Sequence, residues 1–405
     1  MARSYDLTSG SIPQHLLRLA APLIMGNILQ QLYNTVDAFI LGRFAGELEF
    51  AAVGVAGSVM NLFLFMITGA CTGISVIFAQ LYGAGERERF RREHWLSLSC
   101  GLLVTLACSG LGFLLLSPLL QFIQTPSELK TFVSVYLTII LASLPAEFLY
   151  NLYGALLRAI GRANAALMAF AAAVTVNVAL DYCFVARFQL GIAGAAWATI
   201  IAQAVSLILA AWYLKKKGFV FDFKLKSFAL IKNKVKLLFQ LGLPSSAQSV
   251  VTNLSFILMT SLANGLSVEA GAAVGIVGKF NSVAILPVVA MASSVSAIAA
   301  QNIAARLPDR ALRVMRDGIG ISLTVGVLVF VLSQFCAEPI LRLFKSDDEK
   351  VIELGARYLR AFCFDYLFVS FLFNMNSLIN AAGHALFSMI SSMLSAIILR
   401  APLAV

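Results

Sequence analysis

The chain has 405 residues, of which 60% are hydrophobic and only 12% are charged. Soluble domains usually contain about 45 to 50% apolar and about 25% charged residues, so this composition excludes a soluble enzyme. The net charge of +10 does not indicate a nucleic-acid binder, because the basic residues lie between apolar runs rather than on one face. The six cysteines lie in apolar runs without a CxxC pair or metal-ligand spacing, so we interpret them as reduced and buried.

The apolar runs predict an all-α protein that crosses a membrane many times. A helix needs about 20 mostly apolar residues to cross the hydrocarbon core. The first run carries Asp37 and no cleavage motif, so we interpret it as a permanent span rather than a signal peptide. By this reading the chain has eleven spans, at residues 16–41, 51–79, 95–118, 132–155, 165–187, 191–214, 237–264, 272–304, 316–337, 355–380 and 384–405.

The basic residues predict the orientation of these spans. Counted together with the span ends beside them, the N-terminus and the loops after even-numbered spans hold 20 Lys and Arg, whereas the other loops hold 8. Because basic loops stay cytoplasmic, we expect the N-terminus on the cytoplasmic side of the inner membrane. Residues 215–236 contain eight lysines and are predicted to be a cytoplasmic linker between an N-terminal lobe, 1–214, and a C-terminal lobe, 237–405.

An internal repeat supports this division into two lobes. AAVGVAG at residues 51–57 recurs as AAVGIVG at residues 272–278, an offset of 221. Small-residue motifs also recur because they permit close helix packing, but further pairs keep an offset of 221 or 222: Pro22 with Pro244, Gln80 with Gln301, and Gly161 with Gly383. Two parallel halves around a central cavity are typical of transporters that work by alternating access.

The repeat also predicts more chain than the sequence contains. The first lobe has six spans, and the second half holds only five. At the same offset, the second half would continue to roughly residue 436. We therefore interpret the sequence as truncated, with its twelfth span missing.

A group of polar residues is predicted at one depth of the first lobe. An ionisable side chain at the centre of a span costs about 2.5 to 3.5 kcal/mol, so it is a functional candidate. At the rise of an α-helix, Asp37, Asp181 and Thr199 lie about 6, 9 and 12 Å inside the outer ends of their spans. Asn177 precedes Asp181 by one turn, on the same helical face. The alternatives are a solvated helix end for each acid and simple interhelical hydrogen bonds for the others.

Such a group could bind a small cation. Two carboxylates held together cannot both remain ionised without strong repulsion, so the pair Asp37 and Asp181 would accept a proton. Carboxylate, amide and hydroxyl oxygens suit sodium equally well.

Other polar residues in the apolar runs are further candidates. Pro22 removes a backbone donor inside the first span, so we expect a bend there. Glu147 follows Pro145, and its role stays open. Either it satisfies the backbone group that the proline frees, or it pairs with Lys279; alternatively, Lys279 lines the cavity. Asp365 is interpreted as a solvated helix end.

The order and spacing of four motifs resemble the multidrug and toxic compound extrusion (MATE) family. The motifs are Gln30-Gln31-Leu-Tyr-Asn-Thr-Val-Asp37, AAVGVAG, Gln80-Leu-Tyr-Gly-Ala-Gly and Asn177-Val-Ala-Leu-Asp181. The resemblance covers essentially the whole chain. It implies a monomeric antiporter with twelve helices in two lobes, which expels amphipathic or cationic small molecules in exchange for protons or sodium and needs no cofactor.

The resemblance also implies a site. In family members with a cation site in the first lobe, the matching positions are Asp37, Asn177, Asp181 and Thr199, and Pro22 matches the bending proline. Asn151 and Gln203 are candidates for the same polar network. The sequence departs from members that carry an essential acid in the second lobe, because the seventh span offers only Gln240, Gln248 and Asn253.

Two other functions fit the sequence less well. A flippase for lipid-linked precursors would need Arg or Lys at membrane depth to bind a pyrophosphate, and only Lys279 is available in the outer two thirds of the spans. A membrane enzyme would need a nucleophile, base or metal cluster. The three histidines, His15, His94 and His384, are far apart and have no HxxxH spacing.

Overall fold

The fold is helical in the computed structural model, which describes residues 7–123, 125–217, 232–344 and 348–394. The first half contains α1 (Ile12–Phe44), α2 (Glu47–Gly83), α3 (Arg87–Leu114), α4 (Leu116–Phe122), α5 (Lys130–Ala159), α6 (Ala163–Asp181) and α7 (Gly191–Lys216). The second half contains α8 (Lys232–Leu266), α9 (Val268–Ala284), α10 (Leu286–Ala304), α11 (Pro308–Phe335), α12 (Ala337–Arg342), α13 (Glu349–Phe362), α14 (Asp365–Ala381) and α15 (Ala385–Leu394). The prediction of an all-α membrane protein is confirmed.

The number of clear membrane spans is smaller than the eleven predicted. Seven described helices are long and apolar enough to cross a membrane, or eight if α13 and α14, bent by 44°, form one span. The middle of α1 carries Asn27, Gln30, Gln31 and Asn34, which lower its mean hydropathy. The predicted span 272–304 is two helices, α9 and α10. Half of the predicted span 384–405, residues 395–405, lies outside the described residues.

The helix boundaries follow the internal repeat. α3 and α11 begin 221 residues apart, at Arg87 and Pro308, and they also end 221 residues apart. The turns before these helices match as well, because Gly85 and Arg306 both adopt positive φ angles, of 71° and 62°. Arg306 takes the left-handed conformation without being a glycine, which shows how strongly this turn is fixed in both halves.

The halves differ where the second half breaks its helices. The continuous helix α2 corresponds to α9 and α10, which are separated at Ile285. Pro287 is the second residue of α10 and has no N–H to donate, so it is tolerated only in the first turn of a helix. Likewise, the continuous helix α5 corresponds to the bent pair α13 and α14.

The chain forms two compact units, each built from separate stretches of the sequence. The first-half unit comprises Met25–Phe78 and Glu86–Ser246, and the second-half unit comprises Met1–Ile24, Ala79–Gly85 and Ala247–Val405. Helices α1 and α2 therefore each contribute to both units. The predicted lobe boundaries at 214 and 237 stay a prediction, and residues 218–231 of the predicted linker lie outside the described part of the chain.

A glycine allows two helices of the first-half unit to meet backbone to backbone. A Cβ atom on Gly69 of α2 would lie 2.5 Å from Ser246 Cα and 2.7 Å from the carbonyl oxygen of Ser245. Ser246 Oγ also donates to the carbonyl of Met66 at 2.7 Å. Small residues permit this close approach. In a membrane, such close packing drives helix association, because lipid provides no hydrophobic driving force between helices.

Replacing Gly69 with Ala should therefore destabilise the protein. The new methyl group meets backbone atoms that cannot rotate away, and such overpacking typically costs about 1 to 3 kcal/mol. Thermal unfolding in one detergent should show a lower melting temperature. The matched control is Gly57→Ala on the same helix, where nothing lies within 4 Å of the added Cβ. Equal melting temperatures for the two variants would contradict the close contact.

Candidate functional site

The four predicted cation ligands all lie in the first-half unit. Asp37 is on α1, Asn177 and Asp181 are on α6, and Thr199 is on α7. Asp181 is fully buried and Asn177 is 2% exposed, whereas Asp37 and Thr199 are partly buried. Helices α6 and α7 can approach closely because alanines form their buried faces, including Ala169, Ala173, Ala195, Ala198 and Ala202.

The backbone around Asp181 has an unusual form. Asp181 is the last residue of α6, and a π-helical turn, Tyr182–Arg187, follows it directly. Such wide turns are rare and often occur at functional sites. Here the turn changes the direction in which residues after Asp181 project, at the end of the helix that carries two of the predicted ligands.

A partly buried carboxylate holds the beginning of α7. Glu49 Oε2 accepts a hydrogen bond from the backbone N–H of Ile192 at 2.7 Å. Gly191 has a φ angle of +56°, and a Cβ atom there would overlap the Glu49 carboxylate. The negative charge also suits the N-terminal end of a helix dipole. Glu49 thus fixes the end of the helix that carries Thr199, a role that sequence analysis missed because its partner is 143 residues away.

The carboxyl groups of Asp37 and Asp181 are close enough to interact with each other. When both are ionised, neither can donate to the other. Both Asp181 oxygens and Asp37 Oδ1 are then buried without a hydrogen-bond partner among the described residues. A single proton on either acid would supply the missing hydrogen bond.

Further oxygen atoms surround this acid pair. Thr199 Oγ1 lies 3.2 Å from the hydroxyl of Tyr33 and 3.5 Å from Asn177 Nδ2. Asn177 Oδ1 is buried and has no hydrogen-bond partner within the described ranges. Sequence analysis did not select Tyr33, although it precedes Asp37 by one helical turn, as Asn177 precedes Asp181. That shared spacing is the signal that could have found it.

The two candidate network residues bind another acid. Asn151 Nδ2 donates to Glu147 Oε1 at 2.7 Å and to the backbone carbonyl of Glu147 at 2.9 Å. Gln203 Nε2 donates to Glu147 Oε2. Glu147 is 8% exposed. The structure therefore brings Asn151 and Gln203 together around Glu147, in the middle of α5.

One predicted role of Glu147 is wrong. Pro145 frees the carbonyl group of Leu141, which precedes it by four residues. Ser109 Oγ donates to that carbonyl at 2.6 Å. The backbone group is thus satisfied from α3, and the Glu147 carboxylate does not serve this purpose.

The remaining predicted residues lie elsewhere. Pro22 is buried inside α1, which continues on both sides of it. Lys279 is exposed on α9, and Asp365 is the first residue of α14. Gln248 donates to Ser392 Oγ at 2.8 Å. No group of three His, Cys, Asp or Glu side chains suited to a metal ion occurs in the parts of the chain that the structure describes.

Known sequences place the chain in a family. The MatE family model matches residues 22–183 and 244–405, and the two matches are offset by 222 residues, as the internal repeat requires. The chain is 27% identical to the probable multidrug resistance protein YpnP of Bacillus subtilis over 99% of this chain and 89% of that protein. It is 24% identical to the probable multidrug resistance protein NorM of Thermotoga maritima, over 97% and 85% of the two chains.

The fold agrees with these sequence matches. A solved structure of a multidrug resistance MATE family transporter of the MOP superfamily, in an outward-facing conformation, is similar with a TM-score of 0.89 at 21% identity. The similarity covers 98% of this chain and 89% of that chain. Since the family model matches well over half of the residues, the chain belongs to the MatE family of membrane transporters, as its motifs predicted.

Proposed function

We propose that this chain is a secondary antiporter that exports organic cations and other amphipathic compounds in exchange for protons or sodium. Membership of the family supports a transporter with probable multidrug efflux. The exchange mechanism is supported mainly by one observation, the interaction between the carboxyl groups of Asp37, which is partly buried, and Asp181, which is fully buried. On this proposal the chain lies in the inner membrane as a monomer of two lobes of parallel topology, with a cytoplasmic N-terminus.

The acid pair requires a cation for a physical reason. Two carboxylates in contact repel each other, and a buried charge is costly unless an opposite charge or several donors compensate for it. A proton shared between Asp37 and Asp181 removes the repulsion. A sodium ion would do the same, with Asn177 Oδ1 and Thr199 Oγ1 as further oxygen ligands, since hard cations prefer oxygen.

Cation uptake changes the helix that carries Asp37. Tyr33 and Asp37 connect α1 to the oxygens of α6 and α7, so neutralising the pair draws this part of α1 towards them. Pro22 leaves one hydrogen bond of α1 unmade and lowers the energy needed to bend it. We propose that this bend closes the substrate pocket of the first lobe, so that cation binding and substrate binding compete.

Replacing Asp37 with Asn should abolish this exchange. The amide keeps the shape of the side chain but cannot take up a proton or contribute a charge to a sodium site. In everted vesicles with an imposed proton or sodium gradient, transport of a fluorescent organic cation should fall to the background of vesicles without the protein. The amount of protein inserted in the membrane should stay the same.

The control for this experiment is Asp309→Asn, which removes an exposed acid from the first turn of α11. It should leave gradient-driven transport unchanged. Efflux by the Asp37→Asn variant at the rate of the unmodified protein would refute the proposal that the acid pair couples the two fluxes.

Replacing Asp181 with Asn should stabilise the fold at alkaline pH. The repulsion between two ionised acids exists only when both have lost their protons, so it weakens the unmodified protein most at high pH. In sodium-free detergent solution the variant should melt several degrees higher than the unmodified protein at about pH 8.5, and the difference should shrink at about pH 5. A difference independent of pH would contradict the repulsion, and Asp309→Asn again serves as the control.

A further inference from the structure

Glu147 is a buried acid that the proposed exchange does not use. We infer that Glu147, held between Asn151 and Gln203, is a second proton-binding site of the first-half unit. This inference adds to the proposed function but does not depend on the acid pair, because it concerns different side chains. It rests on the surrounding amides, which can form hydrogen bonds both with the ionised carboxylate and with the protonated acid.

The first observation is the incomplete compensation of the charge. Both oxygens of Glu147 accept hydrogen bonds, but the donors are the neutral amides of Asn151 and Gln203. In the described part of the chain, no ion pair includes Glu147. Two neutral hydrogen bonds offset only part of the cost of burying a charge, so a proton would stabilise this acid.

The titratable neighbours do not supply the missing positive charge. Cys71 of α2 and Tyr150 of α5 are close enough for an electrostatic interaction with Glu147, and both are neutral when protonated. Arg158 lies eleven residues further along α5, and its guanidinium reaches back towards Gly154 and interacts with both Cys71 and Tyr150. Among the described residues it forms no ion pair with Glu147. On α3, His94 packs against Tyr153, one and a half turns beyond Glu147.

The second observation is an unused acceptor beside the acid. Gln203 Oε1 is buried and has no hydrogen-bond partner in the ranges that the structure describes. When Glu147 takes up a proton from water, its carboxylate becomes a carboxylic acid with an O–H donor. A half turn of the Gln203 amide then places Oε1 where it can accept from that donor. One proton is gained, the hydrogen bond from Gln203 Nε2 to the carboxylate is replaced by one from the acid O–H to Oε1, and no covalent bond of the protein breaks.

The same amide connects this acid to the cation site. Gln203 follows Thr199 by four residues on α7, so the two side chains share a face about 6 Å apart along the helix. Thr199 is in contact with Tyr33 and Asn177. Rotation of the Gln203 amide therefore occurs one turn from the cation ligands, and a proton on Glu147 can influence their helix.

Infrared titration of the full chain tests this inference directly. The experiment uses the purified Asp37→Asn/Asp181→Asn double variant in sodium-free detergent solution, so that the acid pair contributes no signal. On acidification, the carbonyl stretch of a buried, protonated carboxylic acid should appear. Adding Glu147→Gln to this background should remove that band, whereas Glu353→Gln, which changes an exposed acid on α13, should retain it.

A second variant separates proton binding from a purely structural role. Gln203→Leu removes the amide partner, so the band of protonated Glu147 should remain but shift to higher frequency. If the Glu147→Gln variant does not fold, the Gln203→Leu variant alone tests the inference. A carbonyl band at the same frequency with and without Gln203→Leu would then overturn it. A band that survives Glu147→Gln would also overturn it. Because both aspartates are absent, neither result depends on whether the acid pair drives transport.

Discussion

A buried carboxylate needs a partner, and the candidate cation site depends on this requirement. The first-half unit satisfies several of its other polar groups with its own side chains. Ser109 binds the carbonyl freed by Pro145, and Glu49 binds the free N–H at the start of α7. Asp181 has no such partner among the described residues, although it is fully buried. The protein thus leaves uncompensated a group whose neutralisation an ion gradient can drive.

The sequence predicted the helices well because a chain in lipid has few alternatives. Each long apolar run must satisfy its backbone groups internally, so it forms a helix. The repeat offset then located equivalent helix boundaries, such as Arg87 and Pro308. The break at Ile285 was missed because hydropathy does not change across it. Pro287 was the only local signal, and a proline inside an apolar run predicts either a kink or a new helix.

The site was predictable where its residues are neighbours along one helix. Asn177 and Asp181 share a face by their spacing alone, and depth connected them to Asp37 and Thr199. The contact between Glu147 and Gln203 was not predictable, because they are 56 residues apart on different helices. Whether they meet depends on how α5 and α7 are rotated about their axes. Several buried faces would satisfy the hydropathy of such apolar helices, so side-chain packing decides the rotation.

The two acid sites differ in the charge that each can carry. In the pair of Asp37 and Asp181, the first cation removes the repulsion, so binding a second proton is much less favourable in free energy. Exchange of one proton for one monovalent cation is electroneutral and cannot use the membrane potential, which is worth about 2.3 kcal/mol per charge per 100 mV. Among the described residues no other carboxyl group is paired with Glu147, and Gln203 can form a hydrogen bond with it with or without a proton. Glu147 can therefore bind a second transported proton more easily than the acid pair can. Transport of that second charge would make the exchange respond to the membrane potential.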